Sequence, residues 1–103
     1  MKGYWIVKAN TLNQEKQNKY APLATAAVER YGGKYLVRGG KSLTKEGIEY
    51  ERNVVIEFDS YQLAHEAYES EEYNLAKSVL GNEKDRILTI VEGADKWVVK
   101  LIL

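Results

Sequence analysis

The chain has 103 residues, of which 45% are hydrophobic and 29% charged, a profile typical of one globular domain. Fifteen Lys and Arg residues balance fifteen Asp and Glu residues with mixed signs along the chain, so we expect neither nucleic acid nor a membrane as partner. The absence of cysteine excludes disulfides and zinc–cysteine sites. No apolar run resembles a signal peptide or a membrane span, so we expect a cytoplasmic protein.

The first half of the chain predicts a strand, a long helix and a second strand. Residues 3–9 are rich in aromatic and β-branched side chains, which favour a pleated strand. A helix is predicted over 13–30, with Asn13 as its N-cap and a kink or break at Pro22, which lacks a backbone N–H. A glycine pair ends this helix, and a second strand follows over 34–38.

The second half predicts two strands that enclose two helices. A glycine pair at 39–40 allows a bulge or bend, and a hairpin over 44–49 leads into the third strand. Ser60 and Ser70 precede helical patterns and are candidate N-caps. The predicted elements of this half are a strand at 51–58, helices at 61–69 and 71–80, and a strand at 86–92.

The βαββαβ order is typical of the ferredoxin-like fold. We therefore predict an α+β domain over residues 1–94, in which a four-stranded antiparallel sheet carries its helices on one face. The tail at 95–103, DKWVVKLIL, is predicted to be an apolar C-terminal extension that forms an extra strand.

Alternation along the strands divides the sheet residues into two faces. The set assigned to the helix side is Trp5, Val7, Ala9, Tyr35, Val37, Val54, Ile56, Phe58, Ile87, Thr89 and Val91. The other set is Tyr4, Ile6, Lys8, Leu36, Arg38, Val55, Glu57, Leu88, Ile90 and Glu92. This second face is too apolar for free solvent, which predicts a homodimer packed sheet against sheet, with a monomer as the alternative.

Four segments resemble a family of small bacterial proteins of unassigned function in the dimeric α+β-barrel superfamily: YGGKYLVRGG (31–40), VVIEFDS (54–60), YESEEY (68–73) and IVEG (90–93). The resemblance runs in register over about residues 2–94. It implies a ferredoxin-like protomer and a face-to-face dimer, and no particular activity. Ala67 and Glu71 depart from the Trp and Pro of the family pattern, so the shape of the ligand could differ.

Arg38 and Glu57 are the first candidate site residues, because both fall on the mixed face near the ends of neighbouring strands. In a functional interpretation, Arg38 anchors an anionic or carbonyl group and Glu57 acts as acid, base or acceptor. The alternative is a salt bridge that orients the dimer.

Tyrosine and histidine supply the remaining candidates. Tyr20 and Tyr73 are predicted to line a ligand pocket, and Tyr68 joins Arg38 and Glu57 as a catalytic candidate. The alternative for all three tyrosines, which is the commoner role of tyrosines at helical spacing, is packing in the core. His65 is the weakest catalytic candidate, since a surface or half-buried structural histidine explains it better than a general base does. With one His and no Cys, no multi-histidine metal site is available within a protomer, and no metal or cofactor is predicted.

Two functions remain open from the sequence. The first is a homodimer that binds a small molecule between sheet and helices, with cofactor-independent catalysis on a small aromatic or carbonyl compound suggested only by fold analogy. The second is a non-catalytic structural, regulatory or stress-related dimer. The sequence does not decide whether the protein is an enzyme.

Overall fold

The computed structural model describes residues 1–94, so the extra strand predicted for 95–103 lies outside the described residues. The order of elements confirms the ferredoxin-like prediction, with the expected additional helix before the last strand. The elements are β1 (Gly3–Asn10), α1 (Gln14–Arg30), β2 (Lys34–Arg38), β3 (Arg52–Phe58), α2 (Tyr61–Glu69), α3 (Glu71–Leu80) and β4 (Asp85–Glu92).

The four strands form one antiparallel sheet in the order β2-β3-β1-β4. Its core lies on the face covered by the helices, where Trp5, Phe58, Tyr73 and Val28 are the largest fully buried side chains. Trp5 also donates its indole N–H to the carbonyl of Ala64 at 2.8 Å, which joins β1 to α2. This bond satisfies the buried indole N–H and holds α2 against the sheet.

The predicted helix caps are confirmed. The side-chain oxygens of Asn13, Ser60 and Ser70 accept the backbone N–H three residues later, at 3.1, 3.0 and 3.1 Å. Each bond satisfies one of the N–H groups that the first helical turn leaves without a partner. Of the kink or break predicted at Pro22, the break does not occur, because α1 continues from Gln14 to Arg30 around this residue. None of the three helices within residues 1–94 is long and apolar enough to cross a membrane.

The face predicted for β4 is wrong. Leu88 pairs with Val7, and Ile90 with Trp5, so both lie on the helix side together with their β1 partners. Ile87, Thr89 and Val91 therefore lie on the opposite face. Both alternations of β4 are apolar, so the pattern could not distinguish them, and the register against β1 decides.

A register shift between Tyr35 and Val37 also changes the faces of β2. After this bulge Val37 pairs with Val55 and Arg38 pairs with Val54, which reverses the assignment of both. An extra residue in one strand exchanges the faces of all later residues in that strand. The bulge falls within β2, before the glycine pair at which the sequence allowed one.

The sheet side away from the helices, which we call the open face, is mainly apolar. Val37, Ile87 and Val91 expose 41%, 49% and 36% of their surface there. Tyr4, Ile6 and Val55 are half-buried beside them, and Lys8, Glu57 and Thr89 supply polar groups. The helices of residues 1–94 all pack on the other side, and none of them covers this face.

Candidate functional site

A cavity of about 240 Å³ lies between α1 and the sheet. Its floor consists of apolar side chains from β1, β3 and β4, namely Val7, Val54, Ile56 and Leu88. The small side chains of Ala21 and Ala24 line the opposite wall on α1. A helix that presents alanine where it crosses a sheet cannot fill the space, so a cleft remains.

Three arginines stand at one end of this cleft. Ala9 on β1 pairs with Arg52 on β3 and with Arg86 on β4, so the three residues form one row across the sheet. Arg38 on β2 pairs with Val54 in the next row, which continues through Val7 to Leu88. Cross-strand partners share a face, and all three arginines line the cavity. The cleft thus combines a cationic mouth with an apolar floor.

Arg86 begins a chain of polar contacts that leads into the core. Its Nη1 donates to Tyr20 Oη at 2.7 Å, and the hydroxyls of Tyr20 and Tyr73 are 2.6 Å apart. Tyr73 is fully buried and packs its ring at 4.8 Å from that of Trp5. Burial raises the pKa of the Tyr73 phenol far above 10, so this hydroxyl stays protonated and neutral.

The other two arginines also contact neutral groups. Arg38 Nη2 donates to Thr25 Oγ1 at 2.8 Å, and its guanidinium lies 4.0 Å from the centre of the Tyr35 ring. Arg52 donates to the hydroxyl of Thr11. Within residues 1–94, the ion pairs of 4 Å or less involve other side chains, so none of the three arginines is paired with a carboxylate at that distance. Glu83 and Asp85 lie further away, on a small adjoining pocket that Arg52 and Arg86 also line.

The structure brings together three of the six predicted site residues. Tyr20, Tyr73 and Arg38 all line the cleft. Glu57 lies on the open face, where Tyr4 Oη donates to its Oε2 at 3.0 Å. The predicted association of Arg38 with Glu57 on one face is wrong, because the bulge in β2 turns Arg38 towards the helices.

Tyr68 and His65 do not line the cleft. Tyr68 is half-buried against the edge of Trp5, with ring centres 6.0 Å apart, and Lys77 Nζ lies 4.0 Å from its ring centre. His65 is exposed on α2. The described part of the chain contains no cluster of three His, Asp or Glu side chains that could hold a metal ion.

Sequence reasoning missed Arg86 and Arg52. The signal for Arg86 was present, because it shares its alternation with Leu88 and Ile90 at the start of β4. Assigning that alternation to the wrong face left Arg86 out of the predicted site. Arg52 lies at the start of β3 on the same face as Val54 and Ile56. The sequence assigned that face correctly, but Arg52 was not included among the candidate residues.

The fold and the cleft define a ferredoxin-like α+β protein with a cationic, apolar-floored cleft. The chain belongs to the family described as "Domain of unknown function (DUF1330)", whose sequence profile matches residues 2–94. This match confirms the family resemblance of the sequence segments. No protein of curated function matches the chain.

Solved structures of similar fold include a protein of unknown function from Rhodopseudomonas palustris. That structure has 16% identity, covers 91% of this chain and 83% of its own, and superimposes with a TM-score of 0.73. A dimeric ferredoxin-like protein of unknown function from Bacteroides fragilis has 15% identity, coverages of 89% and 96%, and a TM-score of 0.54. A Caulobacter crescentus protein, provisionally described as an antibiotic biosynthesis monooxygenase, has 13% identity, coverages of 90% and 91%, and a TM-score of 0.55. At these identities the likenesses confirm the fold alone.

Proposed function

We propose that this protein is a homodimer that binds a small organic molecule in the cleft between α1 and the sheet of each protomer. The cleft itself is the observation that carries the proposal. Its volume of about 240 Å³ exceeds the roughly 150 Å³ of a cavity that holds benzene. A molecule with one ring and a short substituent therefore fits, and the convergent polar groups at the mouth are typical of ligand sites.

The position of Arg38 favours binding over a purely structural role. A structural dimer would use this side chain at the interface and would fill the space under α1. Instead Arg38 is exposed at the mouth of the cleft, on the opposite side of the sheet from the open face. Glu57 alone, on the open face, fits the structural interpretation.

The open face supports the dimer. Its six apolar and aromatic side chains would leave an extended apolar patch in a monomer, which soluble proteins seldom expose. A two-fold axis that places one sheet on another buries the patch with the same residues from both copies. The Bacteroides fragilis protein, which shares the fold, is described as dimeric, and this supports a dimer here.

The proposal concerns binding rather than a named reaction. Of the predicted catalytic set, Arg38, Glu57, Tyr68 and His65, the cleft contains only Arg38. Small aromatic and carbonyl compounds, which the fold analogy drawn from the sequence suggests, are the first class of molecules to screen. Arg38, Tyr20 and Tyr73 are the residues we assign to ligand contact.

A thermal-shift screen with a blocked cleft tests this function. A compound at about ten times its Kd should stabilise the protein by about 1.4 kcal/mol, which raises the Tm by roughly 5–10 °C in a domain of this size. Ala21→Trp should abolish the shift by filling the cleft, whereas Ala26→Trp, on the exposed side of the same helix, should preserve it. The proposal fails if no compound stabilises the wild type, or if Ala21→Trp responds like the wild type.

A further inference from the structure

Within residues 1–94, no carboxylate pairs directly with the three guanidinium groups of the cationic mouth. A partly buried charge is costly unless an opposite charge or several hydrogen bonds compensate it. Arg86 is partly buried, and among residues 1–94 its partner is the uncharged hydroxyl of Tyr20. A guanidinium carries five N–H donors, so this group retains capacity for a further acceptor.

From this arrangement we infer that the ligand is an organic carboxylate whose acidic group binds Arg86 and Tyr20. The inference rests on the proposed binding function and names the chemical class of its ligand. A carboxylate matches the planar fork of a guanidinium with two parallel hydrogen bonds. It also supplies the charge that neutral Tyr20, Thr25 and Thr11 cannot give to the three arginines.

Tyr73 prepares Tyr20 for this contact. The Tyr73 hydroxyl is buried, stays protonated and lies 2.6 Å from the Tyr20 hydroxyl, so it can donate its hydrogen to Tyr20 Oη. Arg86 donates to the same oxygen. With two donors on its oxygen, Tyr20 has its own hydrogen free for a carboxylate bound beside Arg86. The phenol and the guanidinium then form a two-part anchor.

The neighbouring row of the sheet determines the chemistry of the rest of the ligand. Val54, Val7 and Leu88 lie one row further along the floor, and Trp5 and Ile56 lie in the row beyond. The aliphatic side chains of this floor offer no hydrogen-bonding group, and the Trp5 indole N–H is already donated to Ala64. The polar groups of the cleft lie on its walls, where Gln17 and Thr25 accompany the arginines and tyrosines. The carboxylate should therefore carry an apolar body, and the volume limits that body to about one ring.

Phenylacetate and phenylacetamide test the inference as a matched pair. They have the same shape and differ in charge, so a preference for the acid reports the anion anchor. Calorimetric titration of the wild type should show the acid binding about 10- to 100-fold more tightly than the amide, the range of a hydrogen bond to a charged group. Arg86→Gln should reduce this ratio by about 10-fold. Arg30→Gln, outside the cleft on α1, should leave it unchanged.

Tyr20→Phe provides a second variant should Arg86→Gln fail to fold, because it keeps the ring and removes only the hydroxyl. We expect this variant to weaken the binding of phenylacetate by about 5- to 10-fold and the binding of phenylacetamide by less. Equal binding of acid and amide to the wild type would overturn the carboxylate assignment while leaving the cleft a binding site. Binding of neither probe would also overturn this ligand class, whereas the proposed function would still be decided by the library screen with Ala21→Trp.

Discussion

A charge placed at the centre of the open face should separate the two protomers of the proposed dimer. Val55 lies on β3, between Ile6 of β1 and Val37 of β2, and is half-buried in the protomer. Val55→Lys introduces an ammonium group at this position in both copies, because the two-fold axis repeats every substitution. The variant should therefore fold as a monomer.

The magnitude follows from burial and charge. Dimerisation removes only the remaining exposed part of Val55, which contributes about 1 kcal/mol for each copy. Burying an unpaired lysine adds a further penalty, reduced where the long side chain can reach water. We expect a total loss of about 3 kcal/mol or more, which weakens the dimer by about 100-fold or more in Kd.

Light scattering over a range of protein concentrations measures the effect. The wild type should have twice the protomer mass of 11.8 kDa at micromolar concentration, and Val55→Lys should have the single mass. Ile48→Lys is the matched control, because Ile48 is 78% exposed in the loop between β2 and β3. This variant should remain dimeric. A monomeric wild type, or a Val55→Lys variant that dimerises as tightly as the wild type, would refute the sheet-to-sheet dimer.

Three further predictions concern the stability of the protomer. Gly3→Ala should destabilise it by about 3 kcal/mol, because the new Cβ would lie 2.5 Å from a backbone carbonyl oxygen. In Gly39→Ala, the new Cβ would have no atom within 4 Å, so only the positive φ should lower the free energy of unfolding, by about 1 kcal/mol. Urea unfolding of both variants measures the difference. Ser70→Ala should lower the free energy of unfolding by about 1–2 kcal/mol in the same assay, because the Ser70 hydroxyl caps α3 and donates a hydrogen bond to the buried carbonyl of Ala67. Burial raises the pKa of Tyr73, so the unfolded chain releases that proton first as the pH rises, and the stabilisation present below pH 10 is lost above it. Tyr73→Phe should reduce the fall of the unfolding free energy by about 1 kcal/mol between about pH 10 and pH 11, whereas Tyr61→Phe, at an exposed site, should not change it.

Local chemistry determined the elements of this protein. The N-caps at Asn13, Ser60 and Ser70 could be predicted because each needs only its own side chain and the N–H three residues later. The strand at Lys34–Arg38 and the helix at Tyr61–Glu69 have the bounds that composition and periodicity predict. The order of these elements then led to the fold, since few topologies accommodate βαββαβ.

The functional surface required the tertiary structure. A strand with apolar residues in both alternations, such as β4, does not reveal which side faces the helices, and only its pairing with β1 placed Arg86 in the cleft. The bulge in β2 likewise separated Arg38 from Glu57, which the sequence had put on one face. Side chains alternate with a period of two, so a shift of one residue exchanges the faces completely. Element identity is a local property and could be predicted from the chain, but the facing of β4 and β2, and with it the cationic cleft, depends on contacts between strands distant in sequence.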